Sequence, residues 1–318
     1  MPVTVVVTGG AGFIGSHIAE RLVAERYRVR VVDSLCTGKR ENIEHLGDQI
    51  EFFEIDIRDA DGLSRAFHGA DFVIHQAALA SVPLSVENPE LVNDVCVNGT
   101  LNVLIQARLA RVQRVVYAGS SSCYGDSPFA AKRESDELMT LSPYAVAKLA
   151  GERYCQSFFH SYGLETVILR YFNVFGPRQD PHSQYSAVIP LFITRLLAEQ
   201  RLIVYGDGEQ SRDFCYVKNI VDGNLLAMTT PGVAGETFNV STGKTTSLLQ
   251  LIQLLGEMLG VKADIDFQPA RQGDVRQSLA DVSRAAHGLG FVPEISFAEG
   301  LARSIEYYRT IVATLSGR

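Results

Sequence analysis

The 318-residue chain is 46% hydrophobic and 20% charged, so it can bury a sizeable core as two lobes or one large domain. Its formal net charge of −7 argues against general nucleic-acid binding, which needs a basic stripe, but leaves room for an anionic small molecule held by a few arginines. No apolar run reaches the ~18–20 residues of a membrane span, and the N-terminus lacks the basic start and small-residue cleavage site of a signal peptide.

Apolar runs at residues 3–7, 29–32, 50–55, 72–74, 112–116 and 166–169 read as buried parallel strands. Helical stretches lie between them, for example at 13–26, 99–111 and 143–162. This βαβ alternation predicts an α/β fold with a Rossmann-type, doubly wound parallel sheet. Past residue 175, short strands at 202–204 and 213–217 and helices at 248–259 and 298–309 alternate with turn-rich segments such as Gly206-Asp207-Gly208. The expected organisation is a dinucleotide-binding domain over 1–172 and a smaller α/β lobe, mainly substrate-binding, over 173–318. Without a flexible joint, the two suit a cleft enzyme. Cys36, Cys96, Cys123, Cys155 and Cys215 are odd in number and scattered, with no C-x-x-C pair. That fits reduced thiols in a cytoplasmic protein better than a disulfide framework or a metal site.

Thr8-Gly9-Gly10-Ala11-Gly12-Phe13-Ile14-Gly15 follows the first predicted strand and opens the first predicted helix. Gly9, Gly12 and Gly15 allow a tight turn and let the backbone, with Phe13 and Ile14, approach a pyrophosphate at the helix N-terminus. Asp33 ends the second strand, where it can accept hydrogen bonds from an adenosine ribose and would repel a 2′-phosphate, selecting NAD over NADP. Lys39 and Arg40 read as solvated loop residues rather than a clamp for that phosphate. Asp56 and Ile57 end the third strand, placed to meet the adenine. Gln76, Ala77 and Ala78 end the fourth, where small residues let the backbone pass close to the cofactor. His75 reads as a packed strand-end histidine.

Tyr144 and Lys148 lie four residues apart on a predicted helix, hence on one face. A phenol of ordinary pKa ~10 is a poor base at neutral pH. A neighbouring ammonium and a positively charged nicotinamide favour its phenolate. Ser120-Ser121-Ser122 follows the fifth strand and so lies at the carboxyl edge of the sheet. A hydroxyl there can share hydrogen bonds with a substrate oxygen and the tyrosine. Together these features predict hydride transfer at a carbinol carbon.

Further segments carry a family likeness: Tyr124-Gly125, Arg170-Tyr171-Phe172-Asn173, Ser211-Arg212-Asp213-Phe214 and Gly273-Asp274-Val275-Arg276-Gln277-Ser278. With the motifs above, they make the chain resemble, over nearly its whole length, the extended short-chain dehydrogenase/reductase family. Within it the chain is most similar to the UDP-hexose 4-epimerases, particularly those acting on N-acetylated sugars. The resemblance implies that Ser34, Thr37, Gly38 and Ala80 join the cofactor contacts and that Ser120 is the catalytic serine. Ser122 stands where the family's dehydratases and decarboxylases carry a glutamate, which argues against both chemistries. Asn173 is implied to bind pyrophosphate, Ala187, Val188, Val204 and Tyr205 to frame uracil and ribose, and Asp274 to contact ribose. Arg212 and Arg271 match arginines that hold the diphosphate, a role suited to bidentate guanidinium groups.

Ser278 matches the position that gates the space beside the sugar's C2 substituent, with Ser81 on the opposite wall. Cys96 departs from the family, which often has a cofactor-contacting asparagine there. The implied activity uses tightly bound NAD to interconvert UDP-N-acetylglucosamine with UDP-N-acetylgalactosamine, and to some degree UDP-glucose with UDP-galactose. A UDP-glucuronate 4-epimerase and a nucleotide-sugar dehydratase or decarboxylase are the alternatives. Helices 98–111 and 144–162 resemble those that pair across the family's homodimer. The expected partners are a UDP-sugar and a second copy of the chain, with no nucleic acid, membrane or metal.

Overall fold

The computed structural model describes residues 2–181, 187–270 and 276–315. The first half supplies six strands: β1 (Thr4–Thr8), β2 (Arg28–Asp33), β3 (Ile50–Glu54), β4 (Phe72–His75), β5 (Arg114–Ser120) and β6 (Glu165–Tyr171). Among them lie α1 (Phe13–Ala24), α2 (Ala60–Phe67), α3 (Val82–Glu87), α4 (Pro89–Asn93), α5 (Thr100–Leu109) and α6 (Pro143–Tyr162). The second half runs through β7 (Val174–Phe175), α7 (Val188–Leu197), β8 (Leu202–Tyr205), β9 (Ser211–Arg212), β10 (Cys215–Tyr216), α8 (Val217–Thr229) and β11 (Thr237–Val240). It ends with β12 (Thr246–Ser247), α9 (Leu248–Leu259), β13 (Ile265–Gln268), β14 (Gln277–Ser278), α10 (Ser283–Leu289) and α11 (Phe297–Leu315).

Seven strands form one parallel sheet in the order β3-β2-β1-β4-β5-β6-β11. The strand order reverses between β1 and β4, which is where open α/β sheets form their ligand crevice, outside the carboxyl ends of the strands. The near-continuous apolar runs of the inner strands β1, β4, β5 and β6 reflect burial on both faces, whereas the edge strand β3 is only partly covered. Val5, Val7, Val116 and Val167 pack into one core with α1, α8 and α10. Their neighbours Val6, Val73, Val115 and Ile168 pack into another with α2, α5 and α6. A third core joins β7, β8, β10, α7, α9 and α11.

The predicted fold class therefore holds, with local corrections. The fifth strand starts at Arg114 because the Val112 amide still donates to the helix carbonyl of Ala107 at 2.9 Å. The run 213–217 is not one strand: only Cys215 and Tyr216 pair, with β7, and Val217 already opens α8. Asp213 is instead a buried hub whose carboxylate accepts from Ser241, Thr242, Gly243 and Ala280. Residues on both sides of position 172 build the large sheet, since β11 pairs with β6 and α8 packs on α1. Among the described residues, no helix is long and apolar enough to cross a membrane.

Candidate active site

The turn after β1 is closed by backbone. Gly9 has φ 69° and donates its amide to Val32 O at 2.7 Å. A Cβ there would lie 2.6 Å from Ala77 N, and one on Gly15 would lie 2.1 Å from Gly9 O. Both positions need glycine: the first for its left-handed backbone, the second because α1 starts against the turn itself. Gly12 is the N-cap residue of α1 and has no side chain to cover the free amides of the first helical turn. Those amides and the helix dipole make the turn a cradle for phosphate oxygens.

Asp33 is 8% exposed, and its carboxylate accepts from Ala11 N at 3.0 Å and Leu35 N at 2.8 Å. Burial pushes its pKa up, against the pull of those amides. With the Gly12 amide that makes three backbone donors, and a carboxylate with about four acceptor sites still has room for a ribose hydroxyl. A Cβ on Gly38 would come within 2.7 Å of the carboxylate. Ser34 is partly buried beside it and Thr37 is exposed. Lys39 pairs with Asp180 at 3.5 Å, and Arg40 pairs with Glu54 at 3.0 Å while covering the Phe52 ring. The cradle, the carboxylate and these engaged cations fit a dinucleotide without a 2′-phosphate.

Other residues lie differently from the sequence reading. Asp56 comes after β3 has ended, and its carboxylate is taken up by Arg58 at 2.9 and 2.7 Å, which lowers its pKa. Ile57 is buried against Gly99. The Gln76 side chain points into the fold, donating to Tyr171 Oη at 3.0 Å and Asn224 Oδ1 at 3.2 Å, so only its backbone adjoins the glycine turn. Ala77 and Ala78 are partly buried and Ala80 is exposed. His75 sits between Thr8 Oγ1 at 2.7 Å and Thr100 Oγ1 at 3.0 Å, and burial drops its pKa to about 3. It is the packed histidine expected. Cys96 Sγ accepts from Leu79 N at 3.4 Å, and both residues pack with Ala147 of α6. The thiol thus braces the loop after β4 from below.

The candidate reacting groups gather where the carboxyl end of β5 meets the start of α6. Ser120 ends β5 opposite Tyr171, and its Oγ lies 2.8 Å from Ser122 Oγ. Ser142 caps α6 by accepting from Ala145 N at 3.2 Å, with Pro143 in the first turn. Tyr144 follows within that turn, where the positive end of the helix dipole favours a phenolate. The phenol bonds to Ser120, yet burial outweighs that bond and raises the phenol pKa in the protein alone. The sequence reading had the ammonium lowering it; burial penalises the charge of Lys148 too, and its own pKa falls. Lys148 Nζ lies 4.8 Å from the ring centroid of Tyr117, whose hydroxyl donates to Lys148 O at 3.2 Å. Gly151 permits this close approach, because a Cβ there would meet the Tyr117 hydroxyl at 2.3 Å. No spacing rule pointed to Tyr117 or Gly151.

A cavity of about 330 Å³ opens beside β7, α7, β8 and β9 and brings together Asn173, Ala187, Val188, Tyr205 and Arg212. Asn173 holds φ 27°, and its side-chain amide donates to Asp213 O at 3.3 Å. Val204 belongs to the core instead: along β8, Leu202 and Val204 are buried while Ile203 and Tyr205 line the cavity. The sequence reading named Val204 and missed Ile203, though strict alternation along a strand would have separated them. Gln210, Phe214 and Leu248 also line the cavity and were missed. Ser278 pairs with Arg212 in the β9–β14 ladder, and Ser278 O accepts from Asp213 N at 2.7 Å. Ser81 Oγ accepts from Leu84 N at 3.1 Å as the N-cap of α3. Arg271 and Asp274 lie outside the described residues. Among the described residues, no cluster of His, Cys, Asp and Glu could hold a metal ion.

Comparison with known proteins agrees with this geometry. Residues 5–241 match the model of the NAD dependent epimerase/dehydratase family. A UDP-glucose 4-epimerase of Mycolicibacterium smegmatis is 38% identical over 308 residues, covering 95% of this chain and 97% of that protein. Among solved structures, a UDP-glucose 4-epimerase of Thermotoga maritima with UDP-glucose superposes with a TM-score of 0.93 at 38% identity, over 98% of this chain and 100% of the other. A UDP-N-acetylglucosamine 4-epimerase of Methanobrevibacter ruminantium, in complex with UDP-N-acetylmuramic acid, gives 0.93 at 39% identity with the same coverage. With its glycine cradle, Asp33 and the Tyr144–Lys148 pair, this chain belongs to the NAD-dependent epimerase/dehydratase family, and its cofactor is NAD.

Proposed function

We propose that the protein is a UDP-sugar 4-epimerase that interconverts UDP-N-acetylglucosamine and UDP-N-acetylgalactosamine and also accepts UDP-glucose and UDP-galactose. Its similarity to 4-epimerases over nearly the whole chain supports the reaction class. The observation that carries the sugar assignment is Ser278, a short side chain paired with Arg212 beside the cavity. A short residue there leaves room for an acetamido group at C2. The glycine turn holds the pyrophosphate of NAD, with Phe13 and Ile14 at the helix start and Asp33 on its ribose. When bound, NAD supplies an acceptor for the C4 hydride and a donor for its return.

The chain's own groups handle the proton. Tyr144 Oη accepts it from the C4 hydroxyl, Ser120 and Ser122 share hydrogen bonds with that oxygen, and a charged Lys148 offsets part of the burial that raises the phenol pKa. Ser122 offers no further acid or base where a dehydratase would need one, which favours return of the hydride over loss of water. Arg212 and Asn173, joined by Arg271 and Asp274, grip the diphosphate and ribose, while the hexose is held loosely enough to present either face. The exposed apolar residues Val146, Tyr154 and Tyr162 of α6 support pairing of two copies of the chain.

A panel of UDP-sugars, with C4 epimers resolved by proton NMR, tests the assignment. Ser278→Tyr should abolish turnover of the acetylated pair and spare the plain hexoses. A wild type that ignores acetylated sugars, or a variant that handles them unchanged, removes the gate but leaves the epimerase reading. Conversion of UDP-glucuronate alone would move the assignment to that sugar.

A further inference from the structure

The segments that carry Ser120, Ser122, Tyr144 and Lys148 are joined by one buried polar network that the proton-transfer step does not itself use. Glu152 on α6 is fully buried, and Arg170 on β6 is 2% exposed. The guanidinium donates to both carboxylate oxygens, at 3.0 and 2.6 Å. Glu152 follows Lys148 by one helical turn and Tyr144 by two, so all three lie on one side of α6. Arg170 Nη1 also donates to Tyr124 Oη at 2.7 Å, with the guanidinium carbon 4.9 Å from the Tyr124 ring centroid. Tyr124 closes the short 3₁₀ turn, Ser121–Tyr124, that contains Ser122 and begins beside Ser120. Its hydroxyl donates to Asn239 Oδ1 on β11 at 2.7 Å. Asn239 Nδ2 in turn donates to Lys132 O at 2.9 Å and Asp281 O at 3.2 Å.

A buried ion pair is weak evidence for stability, because apolar residues of similar volume often do as well or better in its place. What this one adds is geometry. A bidentate guanidinium–carboxylate pair fixes both distance and plane. Here it links the tyrosine-bearing helix to the serine-bearing turn through a strand that contributes no reacting group. We propose that Glu152, Arg170 and Tyr124 are positioning residues that hold α6 and the Ser120–Ser122 turn in register. The Tyr144 phenol then stays within reach of Ser120 while a proton passes to it from the sugar's C4 hydroxyl. The role rests on the epimerase reading above, with Tyr144 as the base.

Two variants of the NAD-loaded enzyme test it. Tyr124→Phe removes one hydroxyl and keeps the ring packed on Phe172; Glu152→Gln keeps an acceptor for Arg170 and removes the charge. Both are assayed for kcat and KM on a UDP-sugar pair from about pH 5.5 to 9.5, the range in which a general base shows its protonation in the rate. Expected is a fall in kcat of about tenfold at neutral pH, small against the ~10²–10⁴ that general base catalysis supplies. KM should stay within about twofold, because uniform binding energy comes from the nucleotide grip. In Tyr124→Phe, which changes no charge, the acid limb of kcat should move to higher pH, so that activity recovers as the solution becomes more alkaline. A merely structural role would lower the melting temperature and leave the limb in place. If Glu152→Gln fails to fold, Tyr124→Phe decides alone. Variants with the wild-type limb and kcat, or with KM as the parameter that changes, overturn the positioning role. A wild type inactive on every UDP-sugar overturns instead the activity on which that role rests.

Discussion

Replacing Tyr144 with Phe isolates one hydroxyl. The ring remains, so the packing at the start of α6 is kept and the Ser142 cap is untouched. Ser120 loses its bond to the phenol but keeps Ser122 at 2.8 Å, so no buried hydroxyl is left without a partner. The stability cost is then that of one ordinary hydrogen bond, about 0.5–1.5 kcal/mol. Lys148 stays beside the Tyr117 ring and the dinucleotide turn is not approached, so NAD occupancy should match the wild type. The rate should not. Losing the proposed proton acceptor should remove the ~10²–10⁴-fold contribution of general base catalysis, or about 3–5 kcal/mol of barrier. Initial rates on a UDP-sugar pair by proton NMR, dinucleotide released on denaturation by mass spectrometry, and thermal melting separate the three effects. A variant that retained a tenth of wild-type turnover with full NAD content would refute Tyr144 as the base.

Two further outcomes follow from the same geometry. Gly15→Ala puts a methyl group 2.1 Å from Gly9 O, so either the turn or α1 must shift, and purified variant should carry little NAD; occupancy equal to wild type would contradict the close-packed cradle. His75 has a folded pKa of about 3, below its ordinary 6.5, so the unfolded chain binds the extra proton between those values and the fold loses stability as pH falls through that window. Urea midpoints of wild type and His75→Asn should therefore diverge in slope from about pH 6.5 downward, the wild type falling more steeply, and parallel slopes would remove this contribution.

Local order decided much of this protein. The strand–glycine turn–helix start and the carboxylate ending the next strand sit within the first 33 residues, so chain geometry alone brings them together. Tyr144 and Lys148 share a face because a helix returns every ~3.6 residues. Most of the large sheet was legible through β6 because inner strands buried on both faces keep their apolar runs whatever they pair with.

Contacts between distant segments were decided only by tertiary structure. Gln76 was placed at the cofactor through its backbone, and only the fold shows where its side chain goes: inward, to Tyr171 and Asn224, 95 and 148 residues away in the chain. Asp213 looked like part of a strand, until five donors from residues 241–280 converged on its carboxylate. Thr237–Val240 gives no local sign that it completes the large sheet, since its place depends on α8 crossing back over α1. The pairing of Glu152 with Arg170 across α6 and β6, and the ring of Tyr117 beneath Lys148, have the same origin. Spacing along the chain states which side chains share a face of one element, whereas which faces meet depends on how the whole set of buried surfaces packs, and that information is in no single segment.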